Sequence, residues 1–365
     1  MLAHRIQPFA TVVAILICLL VVTACGAATT PQPAATQPAA DAAARSSTSA
    51  ESSQPAAAPD SAPRVGVFVD NAFGDRAFFD IALDGIKLIE KHYAAVTRKY
   101  EGRLQPDNFA PILADAAKNN DLVFVLGFEA IDGMIKAAGE NPDTTFVFLD
   151  APIDDPNVVS LAYKDQEGCF VAGALAALMT THTEVKNINA DKVVGFVGGV
   201  DAPVIQRCLS GYRQGAAFVD PAVKVESIFV GSFVDPAKGK EANLTLIQKG
   251  SDINYQYAGL SGEGGFNAAK EGSALYVIGA GFDQRWLAPD QTIGSMLKRV
   301  DLSIDSLTGL YIKGGLKKGQ KFFWGLAEDG VPFTFSADLV PPDVVQRATE
   351  IQDAIKSGKI TVEEQ

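Results

Sequence analysis

The chain of 365 residues is predicted to fold as two α/β lobes, each a parallel sheet flanked by helices. Three observations carry this expectation. Short apolar runs recur that are continuous rather than alternating, as strands covered on both faces require. Amphipathic helical patterns separate them, which implies parallel strands joined by right-handed crossovers. The strands are also too many for one small sheet, and Pro152 and Pro156 interrupt the pattern near its middle, in a loop over 151–157.

Taken in order, strands are expected at 65–70, 122–127, 145–150, 193–198, 227–231, 253–258 and 275–279. Helices are expected between and after them at 78–92, 109–118, 130–138, 170–180, 203–218, 237–249, 295–314 and 343–356. Pro203 and Pro236 stand where a first helical turn tolerates proline, and the last helix follows Pro341 and Pro342. The first lobe is assigned 64–165 and about 295–320, the second 166–294 and about 321–365, with the helix from Ser295 crossing back to the first.

Ahead of this body the sequence has a different character. Arg5 precedes an apolar run from Phe9 to Ala24, which falls short of the ~20 residues a membrane span needs. A short charged start, an apolar stretch and small residues before Cys25 predict a secretory signal peptide over 1–24. Val22, Thr23 and Ala24 before Cys25 resemble the lipobox of bacterial lipoproteins, which implies cleavage, acylation of Cys25 and a membrane tether. The Ala, Pro, Ser and Thr tail that follows, to residue 63, is too poor in large apolar residues to order itself and reads as a linker. The protein is thus expected outside the cytoplasm. In an oxidising compartment Cys169 and Cys208 are free to pair, with two separate buried thiols as the alternative, since spacing alone does not fix the geometry.

A net charge of −12 without a basic stripe argues against nucleic acid as a partner. The 47% hydrophobic content supports a sizeable core, and no second apolar run of membrane length follows Cys25. Catalytic signatures are sparse. The histidines are His4, His92 and His182, and there is no His-Glu-x-x-His, Cys-x-x-Cys or phosphate loop. Neither a metal nor a cofactor is expected.

In an open parallel sheet, ligands bind beyond the carboxyl ends of the strands. Polar and Gly-rich residues gather there: Asp70, Asp150, Gly198 with Gly199, Ser232 with Phe233, and Gly281 with Asp283. Phe128 joins them just after the strand ending at 127. A strand-end carboxylate serves a ligand or caps a helix. The segment Ala258-Gly-Leu-Ser-Gly-Glu-Gly-Gly265, with Gly259 and Gly262, suits either close backbone approach to a ligand or a tight turn. In Asp70-Asn-Ala-Phe-Gly-Asp-Arg-Ala-Phe-Phe-Asp80, Gly74 and Asp75 launch a helix whose first residues are Phe78 and Phe79. One of these rings is placed to stack on a planar ligand, unless both pack against loops.

From here the chain resembles the basic membrane protein, or PnrA-like, family of bacterial lipoproteins, the purine-nucleoside receptors of ABC transporters. The resemblance runs from about Arg64 to Thr361. It rests on Val194-Gly-Phe-Val-Gly-Gly-Val-Asp-Ala-Pro-Val-Ile-Gln-Arg207, Val230-Gly-Ser-Phe-Val-Asp-Pro-Ala-Lys-Gly-Lys240, Ser295-Met-Leu-Lys-Arg-Val-Asp301 and Gln166-Glu-Gly-Cys-Phe-Val-Ala-Gly-Ala-Leu-Ala-Ala177. It implies a two-lobe fold similar to type I periplasmic binding proteins, with ligand held between the lobes. It also implies that Phe78 stacks on a purine with Phe233 opposite, that Asp70 and Asp150 hold polar groups, and that Lys298 reaches ligand hydroxyls.

At two positions the chain departs from the family pattern. Phe79 stands where Asn is usual, and Gly279-Ala-Gly-Phe-Asp-Gln284 places Gly281 where an Asp would meet ribose, with Phe282 beside it. Losing polar partners and gaining rings extends the expected ligands to a free nucleobase or another flat heterocycle such as a flavin. The expected role is a monomeric, non-enzymatic, lipid-anchored binding protein that hands a small molecule to an ABC permease. An extracytoplasmic nucleoside hydrolase is the alternative of another class, resting on the carboxylates of Asp75 and Asp80. A signalling receptor without a permease is a third.

Overall fold

Apolar strands and amphipathic helices alternate along residues 62–364, the part of the chain that the computed structural model describes. The signal over 1–24, Cys25 and the linker up to residue 61 lie outside the described residues. Among the described residues, no helix is long and apolar enough to cross a membrane, and no group of three or more His, Cys, Asp or Glu could hold a metal ion.

The chain begins with β1 (Arg64–Val69), α1 (Phe78–Tyr93), β2 (Val96–Glu101), α2 (Pro106–Asn119), β3 (Leu122–Leu126), α3 (Ile131–Glu140), β4 (Thr145–Leu149) and β5 (Val158–Tyr163). It continues through α4 (Asp165–Thr180), β6 (Val193–Gly198), α5 (Pro203–Val219), β7 (Lys224–Phe229), α6 (Pro236–Gln248), β8 (Ser251–Tyr257), α7 (Glu263–Lys270), β9 (Tyr276–Gly281) and β10 (Thr292–Leu297). The last elements are α8 (Val300–Ile312), β11 (Lys321–Trp324), β12 (Phe333–Phe335) and α9 (Pro342–Lys356).

Two six-stranded sheets result, ordered β11-β5-β4-β3-β1-β2 and β12-β10-β9-β8-β6-β7. Every pairing is parallel except that of β10 with β12. Each sheet reverses its winding once, between β1 and β3 in the first and between β6 and β8 in the second. Such switch points open a crevice at the strand carboxyl ends. Strands β3, β5, β6 and β8 are buried along their whole length, as two-sided coverage demands.

The chain passes between lobes at Lys164, at Lys298–Arg299 and after Trp324. These passages are tied to one another. The Lys164 amide donates to Trp324 O at 2.8 Å, and the Arg299 amide donates to Gly330 O at 2.9 Å. Helix α8 returns to the first lobe and packs on α1. In the second lobe α4 and α5 approach closely enough to require glycine: a Cβ on Gly173 would lie 2.0 Å from Tyr212 O, and one on Gly215 2.0 Å from Phe170 O. Cys169 and Cys208 sit in the same two helices, fully buried, with their sulfurs bonded at 2.04 Å.

Several expectations change. The single helix over 295–314 is instead strand β10, a crossing and helix α8, because both elements are apolar enough to merge into one pattern. Gly294 in β10 lies against β12, where a Cβ would stand 2.4 Å from Thr334 O. Residues 321–324, grouped by sequence with the second lobe, form β11 and pair with β5 in the first sheet. The loop over 151–157 joins β4 to β5 within one sheet, and the first passage between lobes, at Lys164, lies at the assigned boundary of 165 and 166. Strand β2 was not anticipated, since its Val-Thr-Arg-Lys-Tyr-Glu sequence is that of an exposed edge.

Candidate functional site

Lys298 follows the carboxyl end of β10 and is buried to 5% exposure. Its Nζ lies 2.6 Å from Asp150 Oδ1 and 2.9 Å from Asp165 Oδ1. Asp150 comes from the end of β4, and Asp165 opens α4 just past the first passage between lobes. One ammonium therefore joins the first lobe to two of the passages. Three rings surround it: Phe78 at 5.4 Å, Tyr163 at 5.2 Å and Tyr257 at 5.8 Å from Nζ to ring centre. The negative faces of these rings favour a cation. The Tyr257 hydroxyl donates to Asp165 Oδ1 at 2.8 Å, and the Tyr163 and Ser303 hydroxyls bond at 2.6 Å.

The cluster sets two carboxylates, Asp165 fully buried and Asp150 partly exposed, against one buried cation. Burial raises the Asp150 carboxyl to about 6, with the Lys298 charge opposing and the Asp165 charge adding to the rise. Burial is also the largest influence on Lys298 and disfavours its charge, yet Asp150 and Asp165 together hold it above the ordinary lysine value. Asp165 Oδ2 is buried without a hydrogen-bond partner. Asp150 adopts φ +108°, a conformation that costs energy for any residue but glycine. Strain of this kind persists where surrounding structure over-determines it and gathers at binding sites.

Asp70 sits at the first switch point, 3% exposed, directly after β1. Burial, and then the neighbouring Glu129 carboxyl, push its own carboxyl up to about 9. Gly127, at φ +105°, makes room for it: a Cβ there would lie 1.9 Å from the Asp70 carboxyl carbon. Phe128 follows in a short 3₁₀ turn and is 47% exposed.

The loop before α1 explains Asp75 and Asp80. Asp75 accepts from the amides of Ala77, Phe79 and Asp80, and Asp80 accepts from those of Gly74 and Arg76 at 2.6 and 2.9 Å. Both carboxylates brace the turn that presents Phe78. Phe78 and Phe79 are half-buried, with ring centres 5.6 Å apart and tilted by 58°.

In the second lobe, Phe233 packs over Gly199, where a Cβ would stand 2.2 Å from its ring, and over Gly259, which adopts φ +57°. Gly262 is buried, and a Cβ there would meet Gln256 at 3.2 Å. The neighbouring Gly264 serves helix packing, since a Cβ there would lie 2.2 Å from Lys240 N. Gly281, at φ +92°, accepts the Lys298 amide at 2.8 Å, and a Cβ on it would meet only Ile81 of the first lobe, at 3.6 Å. Asp283 is exposed and accepts the Arg285 amide at 3.0 Å.

Of the residues singled out by sequence, Phe78, Phe79, Asp150, Gly281 and Lys298 therefore come together. Asp70 and Phe128 lie at the β1 and β3 ends, and Phe233 with Gly259 at the β6 and β8 ends of the second lobe. Tyr163, Asp165 and Tyr257 were missed. Asp165 carries the ordinary signature of an acid in a first helical turn, Tyr257 reads as strand core, and Tyr163 ends β5, a strand the sequence pattern does not mark.

The family model for the PnrA-like ABC transporter substrate-binding proteins matches residues 62–365. Basic membrane protein D of Borreliella burgdorferi strain JD1 is 31% identical over 318 residues, covering 82% of this chain and 88% of that protein. Basic membrane protein A of Borreliella burgdorferi is 29% identical over 311 residues, covering 82% and 87%. A solved ABC transporter solute-binding protein from Aeropyrum pernix K1 superposes with a TM-score of 0.73 at 23% identity, covering 82% of this chain and 92% of that one. The fold is that of type I periplasmic binding proteins. Proteins of this class act outside the cytoplasm, binding a small molecule and an ABC permease. The chain belongs to the PnrA-like family of ABC transporter substrate-binding proteins.

Proposed function

We propose that the protein binds a purine nucleoside-like ligand between its lobes and delivers it to an ABC permease from a lipid anchor at Cys25. The observation that carries this reading is Lys298, bonded to Asp150 and Asp165 and ringed by Phe78, Tyr163 and Tyr257. Phe78 supplies a face for a planar base, with Phe233 as its counterpart in the second lobe. The carboxylate oxygens of Asp150 and Asp165 accept from hydroxyl or amino donors, and Lys298 donates. Lobe closure about the tied passages sequesters the ligand, and no bond needs to change. The backbone bonds made by Asp75 and Asp80 argue against the hydrolase alternative, because both carboxylates are already engaged. Tethering would raise the effective concentration of the receptor at its permease.

A free nucleobase or other flat heterocycle is the second reading. It is favoured by Phe79 beside Phe78 and by Gly281 in place of a polar side chain, which together replace polar partners with ring surface. One experiment separates the two. The purified protein is denatured and the released ligand identified by ultraviolet spectrum and mass, then guanosine, inosine, adenosine and the free bases are each tested for a shift in melting temperature. A nucleoside in the extract supports the first reading and a base or flavin the second. If no purine is released and none shifts the melting temperature, the purine reading is lost.

A further inference from the structure

Arg76 and Glu263 face each other from opposite lobes. Arg76 lies in the loop after β1 and Glu263 is the first residue of α7, after β8, so each stands at a strand carboxyl end. Arg76 Nε is 3.2 Å from Glu263 Oε1. Among the described residues, no other ion pair joins the lobes away from the passages between them; Lys298 makes its pairs at the passages themselves. Two further observations mark this pair out. Glu263 is 9% exposed, and its Oε1 has no hydrogen-bond partner despite the nearby guanidinium. Arg76 holds φ +46°, a left-handed conformation unfavourable for an arginine. It is kept there by Asp75 and Asp80, whose carboxylates bind the surrounding amides. A strained residue braced on both sides, presenting its charge to a buried and under-satisfied carboxylate, indicates a functional contact rather than a chance surface pair.

We propose that Arg76 and Glu263 form an ionic latch that closes the two lobes over the strand-end site. The proposal rests on the reading that the lobes open and shut about the passages. The latch loop is continuous with Phe78, so a ligand stacked on that ring steadies the same turn that carries Arg76. Opening returns Glu263 to water, where its desolvation is relieved. Closing trades that hydration for the guanidinium. Because Arg76 is 54% exposed, the attraction is modest and screened by salt, which makes the latch readily reversible.

The test uses the whole chain and the variants Arg76→Ala, Glu263→Gln and the two combined. Hydrogen–deuterium exchange is read on ligand-free protein in peptides over 70–80 and 258–266. The latch predicts reciprocal effects: Arg76→Ala speeds exchange in the distant 258–266 segment, and Glu263→Gln does so in 70–80, each by about two- to five-fold. The double variant should be no faster than either single one. Raising salt from about 0.05 M to about 0.5 M should reproduce the effect in the natural protein and add nothing in the variants. Changes confined to the segment that carries each substitution would overturn the latch. Inosine is the probe for the second readout, in which the variants should release it about two- to five-fold faster. A natural protein that does not bind inosine would count against the nucleoside reading alone, and the exchange data would still decide the latch.

Discussion

Lys298 reaches across from the end of β10 to hold Asp150 of the first lobe at 2.6 Å, while Asp165, which opens α4, shares the same ammonium at 2.9 Å. The three groups form a unit, and removing the cation is expected to cost more than removing one anion. Lys298→Met would leave the fully buried Asp165 without its cation, beside the partly exposed Asp150, and should destabilise the protein by about 3 kcal/mol. Asp150→Asn leaves the Lys298–Asp165 pair in place, so its cost should be smaller. Urea unfolding of both variants checks the order. Equal losses would mean that Lys298 does not hold the lobes' passages together.

Asp70 gives a pH dependence with a definite sign. Its carboxyl rises from 3.8 to about 9 in the folded chain, chiefly through burial and then through Glu129. A group raised on folding binds a proton as the chain folds. Its contribution to stability is fully present below 3.8 and is lost as pH rises through about 9. Stability should therefore fall across that window. Asp70→Asn removes the titration and should be more stable than the natural protein at pH 9 by about 1–3 kcal/mol, with little difference near pH 5. Urea unfolding at several pH values measures this, and an unchanged slope in the variant would exclude Asp70 as its source.

How far the site could be read from sequence depended on where each side chain's partner lay. Strands such as Leu122–Leu126 are buried on both faces, and their unbroken apolar runs announce them. Edge strands such as Val96–Glu101 lack that mark because one side of each meets water. Phe78 and Asp150 could be named because each stands at the end of a legible element, whereas Lys298, inside a stretch that read as helix, was named only through the family resemblance. Asp165 could not, because its role depends on a lysine brought to it only when β10 and the start of α4 meet at the passages. Gly264, in the segment whose use the sequence leaves open, serves the approach of α7 to α6, a packing need with the same local signature as a ligand loop.

Phe78 is the residue on which the binding proposal is most exposed. It is half-buried, braced by Asp75 and Asp80 and set over Lys298, so truncating it should disturb the fold little. If it stacks on the ligand, Phe78→Ala should weaken binding by about 1–3 kcal/mol, and Phe78→Tyr should retain most of the affinity. Calorimetric titration with whichever nucleoside or base is recovered from the purified protein gives the comparison. Undiminished affinity in the alanine variant would return Phe78 to a packing role.

The contact of α4 with α5 carries the last prediction. Cys169 and Cys208 close a loop with a sequence separation of 39, and they cross-link the same helices whose glycines permit close approach. In the chain-entropy account, a cross-link of that span contributes about 4 kcal/mol by restricting the unfolded chain. Replacing both cysteines with alanine should lower stability by about 2–4 kcal/mol. The Tyr255 hydroxyl, 3.4 Å from Cys169 Sγ, would lose that neighbour. Gly173→Ala should destabilise through a different route, because its methyl would strike Tyr212 O, and the helices must then separate. The two effects should be less than additive, since a pair of helices already forced apart gains less from being cross-linked. Denaturant titration of the three variants against the natural protein measures the coupling, and strictly additive losses would show that the disulfide and the glycine contact stabilise the helix pair independently.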